Sequence, residues 1–439
     1  MSVLLRVLAL GCLFVCLTSV NNASAADSNR PNVLLIFADD VGSDAIGCYG
    51  GQSYPTPHID ALADGGIQFD YGFAMPVCHP SRVCLLTGRY PLRFGAAGSR
   101  WGLFPEAAES TTLAQVMRRG GYATAVAGKW QLCTLGKDPM HPQRLGFDKW
   151  CLFGWHEGGR YNDPLIHQNG KQRTDTKGRF GPDMYVDFLI DFMDEQHREG
   201  TPFLAYYPMA LCHDVTDDLK GRHVAYYTHG RWMTFAEMIS AMDDRVGRLV
   251  AALDRMGNRE QTLIIFTTDN GTANATYLTV GDDGKMVRPR NISVRDGKVV
   301  PGGKGKLSDD GTRVPLIANW TGQITPGQKS DAMVDLTDYL PTLADLAGVE
   351  PPEAKLDGVS FAPILTGDAS TTPRNWVYSE HRDKSCIRSR DYRLYRDGRF
   401  FDVRNDPQEK NPLDTNSLSG PTRDELDRLR EQLSLLKEE

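Results

Sequence analysis

Two apolar runs in this chain each end in a pair of oxygen-bearing side chains. The pairs are Asp39 and Asp40, which follow residues 33–38, and Asp269 and Asn270, which follow residues 263–268. Such runs are typical of strands buried on both faces of an α/β sheet, and these sheets place their sites beyond the carboxyl ends of the strands. Three carboxylates and an amide oxygen suit a hard cation, Ca²⁺ or Mg²⁺, and not zinc. Asp39 and Asp40 alone would equally suit a helix N-cap.

A second chemically distinctive run, residues 78–88, has the sequence CHPSRVCLLTG. It resembles the signature C-x-P-S-R-x-x-x-L-T-G of the type I sulfatases, members of the alkaline-phosphatase superfamily, at seven positions. In that family the cysteine is oxidised to Cα-formylglycine, whose aldehyde hydrates to a geminal diol. The resemblance implies that Cys78 is the precursor of the nucleophile and needs a formylglycine-generating enzyme as a maturation partner. Without the motif, Cys78 would be interpreted as a buried free thiol.

With a diol as nucleophile, the hydrolysis of a sulfate ester is divided into two steps, each easier than direct hydrolysis. One hydroxyl attacks sulfur and takes the sulfo group from the alcohol. The other hydroxyl then loses its proton, the carbon returns to the aldehyde, and C–O cleavage expels inorganic sulfate. A serine would instead be left as a stable sulfate ester.

The same resemblance gives the two acidic strand ends a role. In sulfatases a D-D pair after the first strand and a D-N-G motif after a later strand bind calcium beside the formylglycine. The expected metal ligands are Asp39, Asp40, Asp269, Asn270 and the modified Cys78. Replacing a ligand carboxylate is expected to cost activity and little stability, because unpaired ligands repel one another.

Four further side chains match family positions that bind sulfate or transfer protons. Arg82, within the signature, would hold the diol near the metal. Lys129 in a G-K-W motif and Lys304 in a G-K-G motif would bind sulfate oxygens. His213 is expected to protonate the leaving alcohol, since an unperturbed histidine titrates near working pH. Taken singly, each lysine would be a surface residue and His213 a core histidine.

One position departs from the family pattern G-K-W-H-L, whose histidine is thought to help release sulfate. Gln131 stands there, and an amide cannot accept a proton near neutral pH. His156 or His79 is available as a base, or the metal and a lysine suffice. His156 lies in the aromatic stretch 150–161, which is interpreted equally well as a sugar subsite or as core. The predicted substrate-binding residues are Lys129, His156, His213 and Lys304.

Strand and helix signals alternate along most of the chain, which predicts an α/β fold with a large, mostly parallel sheet sandwiched by helices. Strands are predicted at 33–38, 124–127 and 263–268, and helices at 111–119, 234–256, 335–343 and 421–437. The polar, Gly-rich segment 281–303 is predicted to be an active-site loop. A small C-terminal antiparallel sheet is predicted from strand signals at 376–380, 385–389, 392–396 and 400–403. The predicted divisions are a signal peptide (1–25), a catalytic domain (26–370) and an α+β subdomain (371–439).

Composition fits an exported globular enzyme. The 439 residues are 41% hydrophobic and 24% charged, and the net charge of −7 comes with no basic stripe of the kind that binds nucleic acid. An anionic substrate must therefore be held by local cations. Residues 1–25 resemble a secretory signal, with an apolar stretch at 7–20 that is too short to span a membrane. Export to the periplasm or the exterior is predicted, without stable membrane insertion.

Nine cysteines occur in the chain. Two lie in the predicted signal peptide, and conversion of Cys78 leaves an even number, enough for up to three disulfides in an oxidising compartment. Free buried thiols are the equal alternative in a chain of this size.

Three functions are compatible with these residues. The first is a metal- and formylglycine-dependent sulfatase, acting on carbohydrates and more slowly on aryl sulfates. The second is a phosphoester or phosphonate hydrolase of the same superfamily, against which the motifs around Lys304 and His213 argue. The third is a non-catalytic binder of sulfated glycans, suggested only by Gln131; retention of a nucleophile precursor argues against it.

Overall fold

A computed structural model describes residues 30–154, 156–214, 233–370 and 374–438, so the predicted signal peptide lies outside the described residues. The strands are β1 (Asn32–Ala38), β2 (Ile67–Phe73), β3 (Ala123–Lys129), β4 (Lys149–Phe153), β5 (Ile166–Gln168), β6 (Lys171–Gln172), β7 (Phe203–Pro208), β8 (Thr262–Thr268), β9 (Thr279–Val280), β10 (Met286–Val287), β11 (Ile292–Arg295), β12 (Lys298–Pro301), β13 (Arg313–Asn319), β14 (Gln328–Asp335), β15 (Val377–His381), β16 (Lys384–Arg388), β17 (Tyr392–Tyr395) and β18 (Phe400–Asp402). The α-helices are α1 (Pro57–Asp64), α2 (Cys78–Thr87), α3 (Ala96–Ser99), α4 (Leu113–Arg119), α5 (His141–Arg144), α6 (Gly181–Glu199), α7 (Phe235–Arg255), α8 (Asp309–Thr312), α9 (Tyr339–Ala347), α10 (Ala362–Leu365) and α11 (Gly420–Glu438). None of the helices in the described part of the chain combines the length and apolarity that a membrane span requires.

A ten-stranded sheet crosses the molecule in the order β14-β2-β13-β8-β1-β7-β3-β4-β5-β6. Its centre is parallel, since β8, β1, β7, β3 and β4 all run in one direction. β13 runs against both of its neighbours, and β5 and β6 continue antiparallel at one edge. The predicted α/β fold is confirmed, with a parallel centre inside a mixed sheet.

Both faces of β1 are covered by helices, which explains its uninterrupted apolar sequence. Val33, Leu35 and Phe37 belong to one apolar layer, together with residues of α2, α4 and α9. Leu34 and Ile36 belong to the opposite layer, together with residues of α1, α6 and α7. The sheet is therefore the buried middle layer of the domain, and polar residues at its strand ends are brought together at one edge.

The long helix before β8 begins where its sequence predicts. The Thr234 side chain accepts a hydrogen bond from the Glu237 N–H (3.3 Å), and the Glu237 carboxylate accepts one from the Thr234 N–H (2.7 Å). This reciprocal capping box satisfies two amides of the first turn. The helix covers Phe235–Arg255 against a predicted 234–256, a difference of one residue at each end.

The prediction of a loop without regular structure over residues 281–303 is wrong in part. β11 and β12 form an antiparallel hairpin closed by Asp296 and Gly297, which have φ of 51° and 72°. An Asp-Gly pair with both residues in the left-handed region is typical of a two-residue hairpin turn whose twist matches the strands. The polar composition of the segment concealed the short strands on either side of this turn.

The predicted C-terminal antiparallel sheet and helix are confirmed. β15, β16, β17 and β18 form a four-stranded antiparallel sheet in chain order, and α11 packs against it. Two buried arginines of this subdomain, Arg388 and Arg393, both pair with Asp309 (2.8 and 2.6 Å), which lies before β13 of the main sheet. The small sheet is therefore held against the segment that leads into β13 by charge as well as by packing.

A third buried arginine, Arg374, provides a stability prediction. It lies 3.3 Å from Asp335 and also pairs with Asp338, and all three side chains are buried. We expect Arg374→Ala to lower the free energy of unfolding by about 3–5 kcal/mol, because two buried carboxylates lose their cation. Urea denaturation measures the change. Arg399→Ala, which breaks an exposed pair with Asp397, should cost less than about 1 kcal/mol, and equal losses would contradict the argument.

Of the two alternatives for the cysteines, the structure shows free thiols. The cysteines with free thiols in the described part of the chain are Cys48, Cys78, Cys84, Cys133, Cys151, Cys212 and Cys386.

Candidate active site

α2 begins at Cys78 and brings that side chain to the edge of the sheet. Pro80 fits the first turn because its missing N–H would have no partner there, and Gly88 ends the helix with φ of 66°. The Ser81 hydroxyl donates to the Asp269 carbonyl oxygen (2.5 Å), which fixes α2 against the end of β8. The cysteine signature therefore forms a helix N-terminus docked beside an acidic strand end.

Two neighbouring strands deliver the acidic pairs to the same place. β1 and β8 are parallel and in register to their last residues, so the side chains that follow each strand lie together. Asp40 has φ of 62°, and its N–H donates to Asp269 Oδ1 (3.1 Å). The Cys78 Sγ atom lies 3.5 Å from Asp39 Oδ1 and 3.8 Å from Asp40 Oδ1.

These side chains form a donor set that suits a hard cation. Four of them each bring one oxygen or sulfur atom within 4.8 Å of the others: Asp39, Asp40, Cys78 and Asp269. The Asn270 Nδ2 group donates to Asp40 Oδ1 (2.9 Å), whereas the buried Asn270 Oδ1 atom accepts no hydrogen bond from any described residue. A buried oxygen without a donor costs about 1–3 kcal/mol. Beside three carboxylates, Ca²⁺ or Mg²⁺ is the partner that fits this oxygen.

Three cationic side chains face the carboxylates. The pairs are Lys129 with Asp39, Lys304 with Asp40 (2.7 Å) and Arg82 with Asp269 (3.2 Å). Lys129 is the last residue of β3, so a third strand end contributes to the site. The predicted sulfate-binding lysines therefore lie beside the predicted metal ligands.

Burial and neighbouring charges shift the titration of the site. Burial, and next the charge of Asp39, raise the pKa of Asp269 to about 7. Burial favours neutral Asp39 as well, but Lys129 and Arg82 outweigh it and hold the Asp39 pKa below its usual value. Burial, and next Asp269, raise the pKa of the Cys78 thiol well above its usual range. An unmodified Cys78 is thus a protonated thiol and a poor nucleophile.

His213 follows β7 and reaches the same carboxylates. Its Nε2 atom lies 3.9 Å from Asp40 Oδ2, and its Nδ1 atom lies 2.6 Å from Arg160 Nη1 and 3.1 Å from the Asp214 carbonyl oxygen. A guanidinium only donates and a carbonyl oxygen only accepts, so Nδ1 can form a hydrogen bond with only one of these two groups at a time. The shorter contact, to Arg160, is satisfied when Nδ1 accepts and the ring proton lies on Nε2. Burial, and next Lys129, lower the His213 pKa well below its usual value. The unperturbed pKa assumed in predicting its acid role therefore does not apply to this neutral ring.

A cavity of about 620 Å³ adjoins Cys78. It is lined by the three residues discussed for sulfate release, His79, Gln131 and His156. Gln131 has φ of 61° and a buried Oε1 atom that accepts no hydrogen bond from the described residues. The Nδ1 atom of buried His79 lies 3.4 Å from the Gln131 carbonyl oxygen, while His156 lines the cavity from an exposed position. Both histidines and Gln131 thus border one cavity.

From the sequence, the aromatic stretch 150–161 is interpreted either as a sugar subsite or as core, and the structure has residues of this stretch both in the core and at the cavity. Trp150 and Phe153 are buried in the two apolar layers, as core residues are. His156 borders the cavity, and Trp155 lies outside the described residues.

Comparison with known proteins identifies the family. Residues 31–349 match the sulfatase family model, and residues 304–438 match the model for the C-terminal region of N-sulphoglucosamine sulphohydrolase. The chain is 31% identical to arylsulfatase A from Bos taurus, covering 86% of this chain and 77% of the relative. It is 28% identical to N-acetylgalactosamine-6-sulfatase from Rattus norvegicus, covering 80% and 68%. The crystal structure of Ps i-CgsB superposes with a TM-score of 0.73 at 25% identity, covering 93% of each chain.

The chain therefore belongs to the sulfatase family. It is a sulfuric ester hydrolase on an alkaline-phosphatase-like fold, and the corresponding predictions are confirmed. A phosphonate monoester hydrolase of Agrobacterium radiobacter is similar in fold alone, with a TM-score of 0.62 at 20% identity over 93% of this chain and 95% of that one. Of the three predicted functions, the family match favours sulfate ester hydrolysis over both phosphoester hydrolysis and non-catalytic glycan binding.

Proposed function

We propose that this sulfatase removes sulfate from carbohydrates with a formylglycine diol made from Cys78. The observation that carries the proposal is the Cys78 Sγ atom at a helix N-terminus, 3.5 Å from Asp39 and among hard oxygen donors. In the unmodified chain this sulfur stands where a diol hydroxyl would lie. Calcium and magnesium prefer oxygen to sulfur, so conversion of the thiol to a diol completes an all-oxygen donor set.

The diol would share the cation with Asp39, Asp40, Asp269 and Asn270. A bound divalent ion lowers the pKa of the hydroxyl it touches. The structure also suggests why a cation is needed for substrate binding. The site has three carboxylates and three cationic side chains, whose charges cancel. A divalent cation would add two positive charges, and the site would then attract an anionic ester.

The chain's own side chains would divide the remaining work. Lys129 and Lys304 hold sulfate oxygens and stabilise the charge that develops on them, and Arg82 fixes Asp269 and the diol. His213 would donate its Nε2 proton to the leaving alcohol. A neutral imidazole is too weak an acid for this step, so the step requires the imidazolium form, which the negative charge of a bound sulfate ester would favour beside the site's cations. Release of sulfate from the enzyme needs a base other than Gln131, and the cavity offers His79 and His156.

The carbohydrate substrate is supported by the relatives and by the cavity. One relative is named as an N-acetylgalactosamine-6-sulfatase, and a structure at 25% identity contains k-i-k-neocarrahexaose. The cavity beside Cys78, of about 620 Å³, lies within the range of about 300–1,000 Å³ that is usual for small-molecule sites. It therefore has room for a sugar ring beyond the sulfate group.

The direct test compares sulfate and phosphate esters of the same sugars. We expect the enzyme, produced together with a formylglycine-generating enzyme, to release sulfate from at least one member of a panel of sulfated monosaccharides and oligosaccharides. Phosphate release from the matched phosphate esters should be slower. A preference for the phosphate esters would instead support the phosphoester hydrolase, and no turnover of any sulfated sugar would defeat the substrate class.

The acid role of His213 is tested with leaving groups of different quality. Nitrophenolate departs without a proton, whereas a sugar alkoxide does not. We expect His213→Ala to lower kcat/KM for a sugar sulfate by on the order of 10²–10⁴-fold and for 4-nitrophenyl sulfate by less than about tenfold. The control is His197→Ala, at the exposed end of α6. Equal losses on the two substrates would remove His213 from the acid role.

We also propose export and a two-part mature chain. The apolar N-terminal stretch supports cleavage of residues 1–25, and the separate four-stranded sheet of β15 to β18 supports a distinct subdomain over 371–439 after the catalytic domain 26–370. A mature N-terminus at or near residue 26, found by sequencing the exported protein, is the expected result. Retention of residues 1–25 in that protein would contradict cleavage.

A further inference from the structure

The outer part of the cavity beside Cys78 is built by two segments that are far apart in the sequence. Residues 99–101 follow α3, and residues 380–382 lie at the end of β15 and in its turn to β16. The inner part is formed by the proposed catalytic residues, such as His213 and Lys304. Whatever is attached to a sulfate held by those residues must lie against the outer segments.

The outer segments carry two arginines that form no ion pair within the described part of the chain. Arg100 and Arg382 are both exposed at the cavity, and neither pairs with a carboxylate of the described residues. By contrast, the inner Lys304 is paired with Asp40 (2.7 Å). In a chain with a net charge of −7, two arginines without acidic partners at one opening form a local anion-attracting surface.

Next to Arg100 in the chain, the cavity also has an aromatic face. The Trp101 side chain is 51% exposed, and its ring centroid lies 4.9 Å from that of His156 with the rings tilted by 66°. Leaving half of an indole in water forgoes part of its burial energy. The flat apolar face of a sugar ring would cover it while the hydroxyl groups stay at the edge.

A carboxylate also borders the opening, at Glu380. The side chain is half-buried, and its Oε2 atom accepts a hydrogen bond from the Tyr378 hydroxyl (2.9 Å). The Glu380 carboxylate can accept a hydrogen bond from a sugar hydroxyl, and it would repel an anion placed directly against it. The groups at the outer segments that attract an oxyanion are Arg100 and Arg382.

We propose that Arg100, Trp101 and Arg382 form a subsite for a sugar that carries a second oxyanion besides the scissile sulfate, either on the sulfated ring or on the ring joined to it. This subsite rests on the proposed carbohydrate sulfatase function and specifies its substrate class. The second oxyanion is a uronate carboxylate or a further sulfate, because a guanidinium forms paired hydrogen bonds with either group. The indole of Trp101 holds the ring, and the arginines select its charge.

The experiment uses three sugars that share one 6-sulfate. They are N-acetylgalactosamine 6-sulfate, N-acetylgalactosamine 4,6-disulfate and the unsaturated disaccharide of chondroitin 6-sulfate, which adds a carboxylate. We expect kcat/KM of the wild-type enzyme to be higher by on the order of tenfold or more for at least one of the two doubly charged sugars. Which of the two is preferred identifies the source of the oxyanion.

The double variant Arg100→Gln/Arg382→Gln should lose this preference through a higher KM. Its activity on 4-nitrophenyl sulfate, which has no second anion, should change by no more than about twofold. The matched control is Arg255→Gln, an exposed arginine in the last turn of α7, which should keep the wild-type preference. A wild-type enzyme indifferent to the second oxyanion, or a double variant equally impaired on every substrate, would overturn the subsite.

Calorimetric binding of the same sugars to Cys78→Ala protein provides a readout without turnover. Adding the two Arg→Gln changes to that protein should weaken binding of the preferred doubly charged sugar by about tenfold and leave N-acetylgalactosamine 6-sulfate unaffected. Equal affinity of all three sugars before those changes would also overturn the subsite. Failure of the proposed function is distinguishable, because it would appear as absent sulfate release from every sulfated sugar, whatever the activity on 4-nitrophenyl sulfate.

Discussion

Cys78→Ala is expected to abolish turnover, with kcat lower by on the order of 10⁴-fold or more, because the covalent nucleophile is lost. The change should leave the fold intact, because the Cys78 thiol is a weak donor whose hydrogen-bond partners among the described residues are the carboxylates of Asp39 (3.5 Å) and Asp40 (3.8 Å). In the wild-type enzyme, the mass of the peptide that contains Cys78 should show replacement of sulfur by oxygen with loss of two hydrogens. Activity and peptide mass are measured on the same preparation.

Cys84→Ala is the matched control for this prediction. Cys84 lies on the same helix, is buried and has a free thiol, yet it plays no part in the proposed site. Its replacement should keep activity while lowering stability slightly. Cys78→Ser, if mass confirms that the serine is unmodified, should perform at most one sulfo transfer. Sustained turnover by that variant would rule out the diol, because a serine sulfate has no second hydroxyl to expel the sulfate.

The parts of the site that could be predicted from sequence are those determined by local pattern. The run 33–38 predicts a strand because it is buried on both faces, and Asp39 follows directly where the strand must end. Cys78 is recognisable because the spacing of its signature is fixed within one helix, α2. In each case the chemistry and the element that positions it are neighbours in the chain.

Contacts between distant segments could not be predicted in this way. Arg160 lies 53 positions before His213, and no spacing rule links a guanidinium to an imidazole over that distance. Only the packed structure shows that Arg160 leaves the His213 proton on Nε2. The hairpin within 281–303 was missed for a different reason: short polar strands have little apolar periodicity, although the Asp296-Gly297 pair was a visible turn signal.

The structure also corrects the expected cost of removing a metal ligand. The carboxylates were expected to be unpaired and mutually repelling, but Asp269 pairs with Arg82 and Asp39 with Lys129. Replacing either carboxylate by alanine would leave a buried cation without its partner, which is strongly destabilising. A loss of activity in such a variant could therefore reflect either a lost metal ion or a destabilised fold.

Asn270→Ala avoids this difficulty and gives the sharpest test of the metal site. Asn270 is neutral, and its only hydrogen bonds among the described residues run from Nδ2 to Asp40 and to the Gly271 carbonyl oxygen. Removing its side chain deletes one proposed ligand without isolating a cation. We expect kcat/KM at a fixed, limiting Ca²⁺ concentration to fall by on the order of 100-fold or more, since even residues behind the ligands contribute 10- to 100-fold in other metal sites.

The control is Thr268→Val, one residue earlier on β8. The Thr268 hydroxyl is buried and has no hydrogen-bond partner among the described residues, so its loss should not lower stability or activity. Titration with Ca²⁺ then separates a weakened site from a damaged fold, because excess metal should restore part of the activity of Asn270→Ala.

Thermal unfolding tests metal binding independently of activity. A cation that binds only the folded protein stabilises it by about 2.7 kcal/mol at a hundredfold excess over Kd. Addition of Ca²⁺ to chelator-treated wild-type enzyme should therefore raise its Tm, and Asn270→Ala should need more Ca²⁺ for the same rise. The metal-free protein should stay folded at moderate temperature, because three cationic side chains already balance the three carboxylates. Full activity after chelation, or a Tm that does not respond to either Ca²⁺ or Mg²⁺, would mean that these oxygen atoms serve some purpose other than holding a cation.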